Sequence, residues 1–205
     1  NKHLEQCCIK RQQETTQKQK EPIGQRLEKD LQAFMKLPDV PYEACTLTSG
    51  TVSSHSLVRF KGNDYSVPVR YGYQRVFVKG YVDKVVIIHA AEVIARHTRC
   101  YGQGETLFEP LHYLPLIERK VGAFDQAAPL KGWNLPPAFG KLKQILTHRD
   151  GKPGMREYVK VLRLLETHGL EEVQAGIEEG LRLGVFSSDA IKHLNYDGTA
   201  QHGGV

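Results

Sequence analysis

Residues 56–97 constrain the fold more than any other part of the chain. From Ser56 to Ile88 the sequence reads SLVRFKGNDYSVPVRYGYQRVFVKGYVDKVVII, alternating apolar and polar residues and breaking at residues that favour turns. A period of two sends successive side chains to opposite faces of a strand. The pattern predicts strands over 56–60, 65–69, 74–79, 84–88 and 92–97, with turns at KGND, after Gly72 and at HAAE. On 74–79, Val76 and Val78 point one way and Arg75, Phe77 and Lys79 the other; on 56–60, Arg59 opposes Val58 and Phe60. VVII is an unbroken apolar run and is expected to be the most buried strand. Pro68 cannot donate to a ladder, which predicts an edge or a bulge.

Five short, regularly spaced strands suit a small antiparallel β-barrel of the SH3 or OB kind. The expected fold class is α+β: an SH3-like barrel over 41–104, a helical connector over 1–40 and a helical region with a flexible tail over 105–205. In the first part, QETTQKQKE is a polar break between two helices, and Ile23, Leu27, Leu31 and Phe34 are spaced for one buried stripe behind Pro22. Pro38 and Pro41 enforce extended backbone and place a boundary near residue 40. Beyond Tyr101, a short helix interrupted at Pro115 precedes helices over 137–148, 154–168 and 170–183, with Gly151, Gly169 and Gly184 as stops. Trp133 is expected to pin an irregular segment to a core. Tyr158, Val161, Leu162 and Leu165 form one stripe and Val173, Ile177 and Leu181 another. Ser187 is placed to cap a last helix through Leu194, and DGTAQHGGV is expected to be the flexible tail.

The chain has 205 residues and a formal net charge of +5. Residues 41–101 hold eight Lys and Arg against four Asp and Glu, so most of the excess lies on the alternating segment. Cations on the solvent side of strands, with an aromatic among them, suit contact with a phosphate backbone, although any sheet face also needs solvating charge. The candidates are Arg59, Lys61, Arg70, Arg75, Lys79 and Lys84, with Phe77 as a packing contact. A second basic run, Lys141, Lys143, Arg149, Lys152, Arg156, Lys160 and Arg163, reads as a solvated helix face. The helix after Gly169 carries Glu171, Glu172, Glu178 and Glu179, which phosphate would repel; it suits a protein partner or solubility. His97-x-x-Cys100 is the only ligand-like spacing around the four cysteines, and free thiols are expected rather than a metal site. No GxSxG, P-loop, HExxH or GxGxxG occurs, and no catalytic constellation stands out. No run approaches a membrane span, and the N-terminus has neither a signal-peptide pattern nor an initiator Met, which suggests a piece of a longer chain.

The segments SLVRFKGNDYSVPVRYGYQRVFVKGYVDKVVI, EVIARHTRCYG, EPLHYLPLIERKVGAFDQAAPLKGW, GKPGMREYVKVLRLLE and LGVFSSDAIKHL, in that order, resemble the C-terminal half of IstA-type transposases of the insertion-sequence twenty-one family. The likeness runs from about Asn1 to about Leu194. It implies a full-length bacterial protein with helix-turn-helix DNA-binding regions and an RNase H-like core, whose Asp-Asp-Glu triad binds Mg²⁺ for strand cleavage and transfer. A barrel and C-terminal helices would then hold double-stranded transposon-end DNA and build the synaptic oligomer with other protomers. A AAA+ helper ATPase of the IstB type is the further partner, and a cytoplasmic, nucleoid-associated location is expected. The triad's Glu lies upstream of the position matching Asn1. No catalytic residue or cofactor is therefore assigned to this chain, and it is not expected to act as an enzyme by itself.

Overall fold

A computed structural model of the chain describes the backbone of residues 2–39 and 41–200 and side chains up to residue 194. Two compact units are present, Asn1–Glu43 and Ala44–Val205. In the first, α1 (Lys2–Gln12) and α2 (Ile23–Ala33) flank the polar break. Pro22 is the N-cap of α2, not its first residue. The apolar stripe of α2 is present in sequence but is not buried: Leu31 is 55% and Phe34 64% exposed, and no residue of the helix is buried. Eleven residues facing one other short helix leave nothing within this unit to cover them.

The second unit begins with two sheets. The first has the order β1-β4-β5-β6, with β1 Thr46–Thr51, β4 Arg75–Gly80, β5 Lys84–His89 and β6 Glu92–Thr98, all antiparallel. The second has the order β2-β3-β7, with β2 Leu57–Phe60, β3 Asn63–Ser66 and β7 Thr106–Leu107, the last pairing parallel to β3. These ladders do not close into a barrel among the described residues. Two strands, β1 and β7, lie outside the alternating run. The predicted strand 65–69 is corrected: β3 ends at Ser66, and Val69–Tyr71 winds into a 3-10 turn behind Pro68. The hairpin between β2 and β3 turns on Lys61 (φ 49°) and Gly62 (φ 86°), the paired left-handed conformations of a tight hairpin turn. Ala90 and Ala91 adopt the same signs between β5 and β6 without a glycine. Val58, Phe60, Tyr65, Val67, Val76, Val78, Val85 and Ile87 fill the space between the sheets.

The helical part follows in the same unit. Pro115 does not interrupt α3 (Leu114–Arg119); it sits in the first turn, where its missing N–H costs nothing. Helices α4 (Pro137–Asp150), α5 (Lys152–Arg163), α6 (Leu170–Leu183) and α7 (Ser188–Ala200) pack around Leu114, Phe139, Leu142, Leu146, Tyr158, Leu162, Val173, Ile177 and Ile191, with Trp133 partly buried against them. Gly151 and Gly184 end helices with φ of 58° and 72°, but Gly169, at φ −65°, is instead the N-cap of α6. The backbone of α7 runs on to Ala200, so the predicted tail is shorter at its start, and residues 201–205 lie outside the described ones.

Ser187 Oγ accepts from Ala190 N–H at 3.2 Å, capping α7. A second anchor comes from α5: Glu157 Oε1 accepts both the amide and the hydroxyl of Ser188, each at 2.6 Å, and Lys160 Nζ approaches Oε2 at 3.2 Å. Burial works to raise the Glu157 pKa, but the two bonds from Ser188 and the Lys160 charge outweigh it, so the carboxyl ionises below its ordinary range. A lowered carboxylate pKa contributes stability that is present above the unfolded value and is lost as pH falls through the folded one. Glu157→Gln is expected to cost about 1–2 kcal/mol at pH 7, because the helix N-terminus loses a charged acceptor. Denaturant unfolding followed by Trp133 fluorescence checks this, and an unchanged midpoint would remove Glu157 as the anchor.

Candidate nucleic-acid interface

One face of the four-stranded sheet packs into the core; the other is only partly open, with Arg75, Phe77 and Lys84 exposed but Val86 buried at 3%. On β4, Val76 and Val78 are buried while Arg75 and Phe77 are exposed and Lys79 is half-buried. Residues paired across a ladder share a face, so the register extends this outer face in rows. One row runs Leu47, Lys79, Val86, Arg96; the next runs Ser49, Phe77, Ile88, Val93; Thr51 stands beside Arg75, and Lys84 beside Thr98. Arg75, Lys79, Lys84 and Arg96 therefore lie on one face, together with Phe77, which is 54% exposed. None of the strand residues in these rows is acidic. Along β4, Arg75 and Lys79 are separated by roughly 13 Å, and Lys79 and Arg96 by roughly 10 Å across two strand spacings.

Arg96 was not among the residues singled out from the sequence. Its side is set by a bulge: Ile87 pairs with Ala95 and Ile88 with Val93, leaving Ile94 as an extra residue on β6. A bulge resets the alternation, and nothing in the local sequence marks where it falls.

The other predicted cations are not on this face. Arg59 lies on β2 directly opposite Asp64, with Nε 3.6 Å from Oδ1, so its charge is locally matched. Lys61 occupies the turn of the β2–β3 hairpin. Arg70, in the 3-10 turn, donates to Tyr71 Oη at 3.1 Å and stacks over that ring at 4.9 Å. It lines a cleft of about 830 Å³ that also includes Arg119, Arg163, Glu109 and Glu166. Lys84, by contrast, belongs to the outer face, with Nζ 5.2 Å from the Tyr81 ring centre.

Most of the second basic run is used inside the molecule. Lys143 pairs with Asp125 at 2.6 Å, Arg149 with Asp150 at 2.8 Å, and Arg163 bridges Glu118 and Glu166 at 2.7 and 2.9 Å. Hydrogen bonds to these two carboxylates push the Arg163 pKa up. Arg156 Nε donates to the Glu118 carbonyl at 3.3 Å. The acidic helix α6 is engaged as well. Glu172 accepts from the Gly169 amide, Glu179 pairs with Arg182, and Glu178 accepts from Gln174. Glu171 is exposed in the first turn.

The polar cluster nearest to a catalytic arrangement is a structural joint. Ser66 Oγ accepts the Glu109 amide at 2.8 Å and shares a hydrogen bond with His112 Nδ1 at 2.9 Å. His97 Nε2–H donates to the Ser66 carbonyl at 2.6 Å, and the two imidazoles stand 5.8 Å apart, edge to face. Ser66 is fully buried, so no substrate reaches its hydroxyl. Burial, and then the neighbouring His97, hold the His112 pKa down to about 4; burial lowers that of His97 against the pull of its bond to Ser66 and of Glu109. Both rings are thus neutral at pH 7. His97 is committed to Ser66, and among the described residues no group of three or more His, Cys, Asp or Glu could hold a metal ion. No helix of the described residues is long and apolar enough to cross a membrane.

Residues 37–109 match the family model described as Mu transposase, C-terminal domain. The transposase for insertion sequences IS1326/IS1353 of Pseudomonas aeruginosa is 34% identical over 166 residues, covering 78% of this chain and 32% of that protein; the Shigella flexneri protein of the same name gives the same values. A transposase of Aminobacter aminovorans is 30% identical over 159 residues, 75% of this chain and 30% of its own. The chain thus spans about a third of the length of the curated relatives it matches. No solved structure matches. The likeness is thus to transposases and, over residues 37–109, to a transposase C-terminal domain.

Proposed function

We propose that the outer face of the four-stranded sheet holds the backbone of transposon-end DNA, as part of an IstA-type transposase. The observation that carries this is the gathering of Arg75, Lys79, Lys84 and Arg96 around exposed Phe77 on a face whose strand rows contain no acid. Guanidinium and ammonium groups neutralise phosphates and release condensed counterions, while an exposed ring packs on sugar or base. In this reading residues 41–104 form an SH3-like unit despite their open ladders, residues 1–40 connect to a catalytic core, and residues 105–205 support the synaptic oligomer. Divalent-metal chemistry belongs to the core of the whole protein, working in the cytoplasm on nucleoid DNA, and no residue of this chain is assigned to it.

If four phosphates are neutralised on duplex DNA, the plot of log K against log salt should slope near −3.6. Replacing Arg75 and Arg96 by Ala should reduce that slope by about 1.8, whereas Arg59→Ala, which removes a cation already matched by Asp64, should leave it nearly unchanged. Fluorescence anisotropy with end DNA over a salt series reads both. An equal slope for the double variant and the parent would sink the assignment of this face.

A second reading has an observation of its own. Between α4 and α6 lies a cleft of about 700 Å³ lined by Ala138, Ile145 and Leu181, with Lys141, Glu178 and Arg182 at its rim. It is a candidate seat for a helper ATPase of the IstB type or another protomer. Charge reversal at Glu171 and Glu178 would then abolish capture of the ATPase and spare DNA binding.

A further inference from the structure

The two sheets expose four edges, and three of them carry features that discourage pairing. Edge strand β6 bears Glu92 and Arg96 and is broken by a bulge. Edge strand β2 is four residues long and carries Arg59, and β7 is only two residues long. Charge, brevity and bulges are the usual means of keeping an edge from adding a strand. β1 has none of them. It is six residues of TLTSGT, uncharged and without proline, in unbroken register with β4. Leu47 is 59% exposed, and Thr46, Thr48, Ser49 and Thr51 are exposed as well, so both flanks of the strand are open.

Hydrogen-bond phase shows which backbone groups are available. The Val52 amide donates to Gln74 O at 2.9 Å, on the β4 side. Direction alternates along an antiparallel strand, so Gly50, Thr48 and Thr46 also turn toward β4, and Leu47, Ser49 and Thr51 present N–H and C=O to the other side, which stays open up to Thr51 and is closed at Ser53, whose amide donates to Leu57 O at 2.8 Å.

We propose that this open side pairs antiparallel with β1 of a second copy of the chain, about a two-fold axis at Ser49. That register keeps the outer faces of both sheets on one side, because residues opposite one another then share parity. It sets Ser49 against Ser49, Leu47 against Thr51, and Thr48 against Gly50. All three outward-facing residues find a partner whose N–H and C=O also point to the junction. An uncharged, hydroxyl-bearing strand opposes no like charges when it meets itself. The cations do not oppose it either: the two β4 strands end up three strand spacings apart, about 14 Å, beyond the screening length of about 8 Å at physiological salt. An isologous contact of this kind closes at two copies. The pairing needs no DNA, so it stands or falls separately from the proposed DNA contact.

Light scattering and sedimentation equilibrium of the 205-residue chain, without DNA, provide the test. The expected result is a concentration-dependent species at twice the 23.1 kDa monomer mass. Ser49→Pro removes an amide that faces away from β4, and Ser49→Lys sets two like charges at the axis. Each should raise the dimer dissociation constant at least tenfold while leaving the circular dichroism of the monomer unchanged. If Ser49→Pro unfolds, Ser49→Lys decides. In a background with the native cysteines replaced by Ser, Ser49→Cys should cross-link on mild oxidation, since a facing hydrogen-bonded pair places its Cα atoms about 5.5 Å apart, within disulfide range. Thr46→Cys, displaced by about 20 Å from its copy, should not. A chain that stays monomeric, or a dimer indifferent to both Ser49→Pro and Ser49→Lys, overturns the proposal.

Discussion

Gly154→Ala is expected to destabilise the helical part by about 3 kcal/mol, at or above the upper end for overpacking. A Cβ built at Gly154 would stand 1.9 Å from the carbonyl oxygen of Leu146 and 2.6 Å from its carbon. The obstacle is main chain of α4, not the movable end of a side chain. Leu146 is itself fully buried among Phe139, Leu142 and Leu162, so α4 cannot retreat without disturbing the core. Relief therefore requires the corner at Gly151 to open and the α4–α5 contact to be lost. Trp133 is the chain's single tryptophan and packs against this core, so its emission reports the change directly. The measurement is a urea unfolding curve of variant and parent. A loss below about 0.5 kcal/mol, the range of an ordinary surface change, would show that the helices do not meet as closely as described.

Acid is expected to loosen the joint at Ser66 well before ordinary carboxylates titrate. His97 and His112 ionise below their usual value in the folded chain, His112 near 4, and near 6.5 when unfolded. The unfolded state therefore takes up protons first as pH falls. For a histidine lowered in this way, the stabilising contribution is complete above the unfolded value and is lost progressively between about pH 6.5 and 4. The slope should approach about 1.4 kcal/mol per pH unit for each proton taken up. Glu157 begins to contribute only near the ordinary carboxylate value of 4.5, at the acid end of this window, so the histidine effect dominates above it. His112→Asn keeps a polar atom near Ser66 Oγ but does not titrate, and should flatten most of the slope. Urea midpoints at pH 7.5, 6 and 5 read the effect. Equal slopes for parent and variant would assign the acid sensitivity elsewhere.

The parts that were legible before the structure share a physical origin. A strand half-buried along its length writes a period of two into its own residues, which is why the two faces of β4, and Arg75, Phe77 and Lys79 on one of them, could be placed. Helices α5 and α6 write a period near 3.6 for the same reason, and their stripes end in the helical core. Where burial is not regular, the record is missing. β1 is exposed on both flanks and so carries no apolar alternation, and β7 is too short to show any. The stripe on α2 shows the converse: spacing announces a face able to be buried, and says nothing of whether a neighbour in the same unit covers it.

By itself, then, the amino-acid order determined the strands and helices that are buried along one face, though not β1 or β7, and where the positive charge accumulates, because both depend on residues within a few positions of one another. Tertiary structure alone decided which cations share a surface. It separated Arg59, Lys61 and Arg70 from Arg75, Lys79 and Lys84, and added Arg96 through one bulged residue. It also brought Ser66, His97 and His112 together across long stretches of chain. Register, bulges and the crossing of layers are set by contacts between distant residues, and no local pattern carries them.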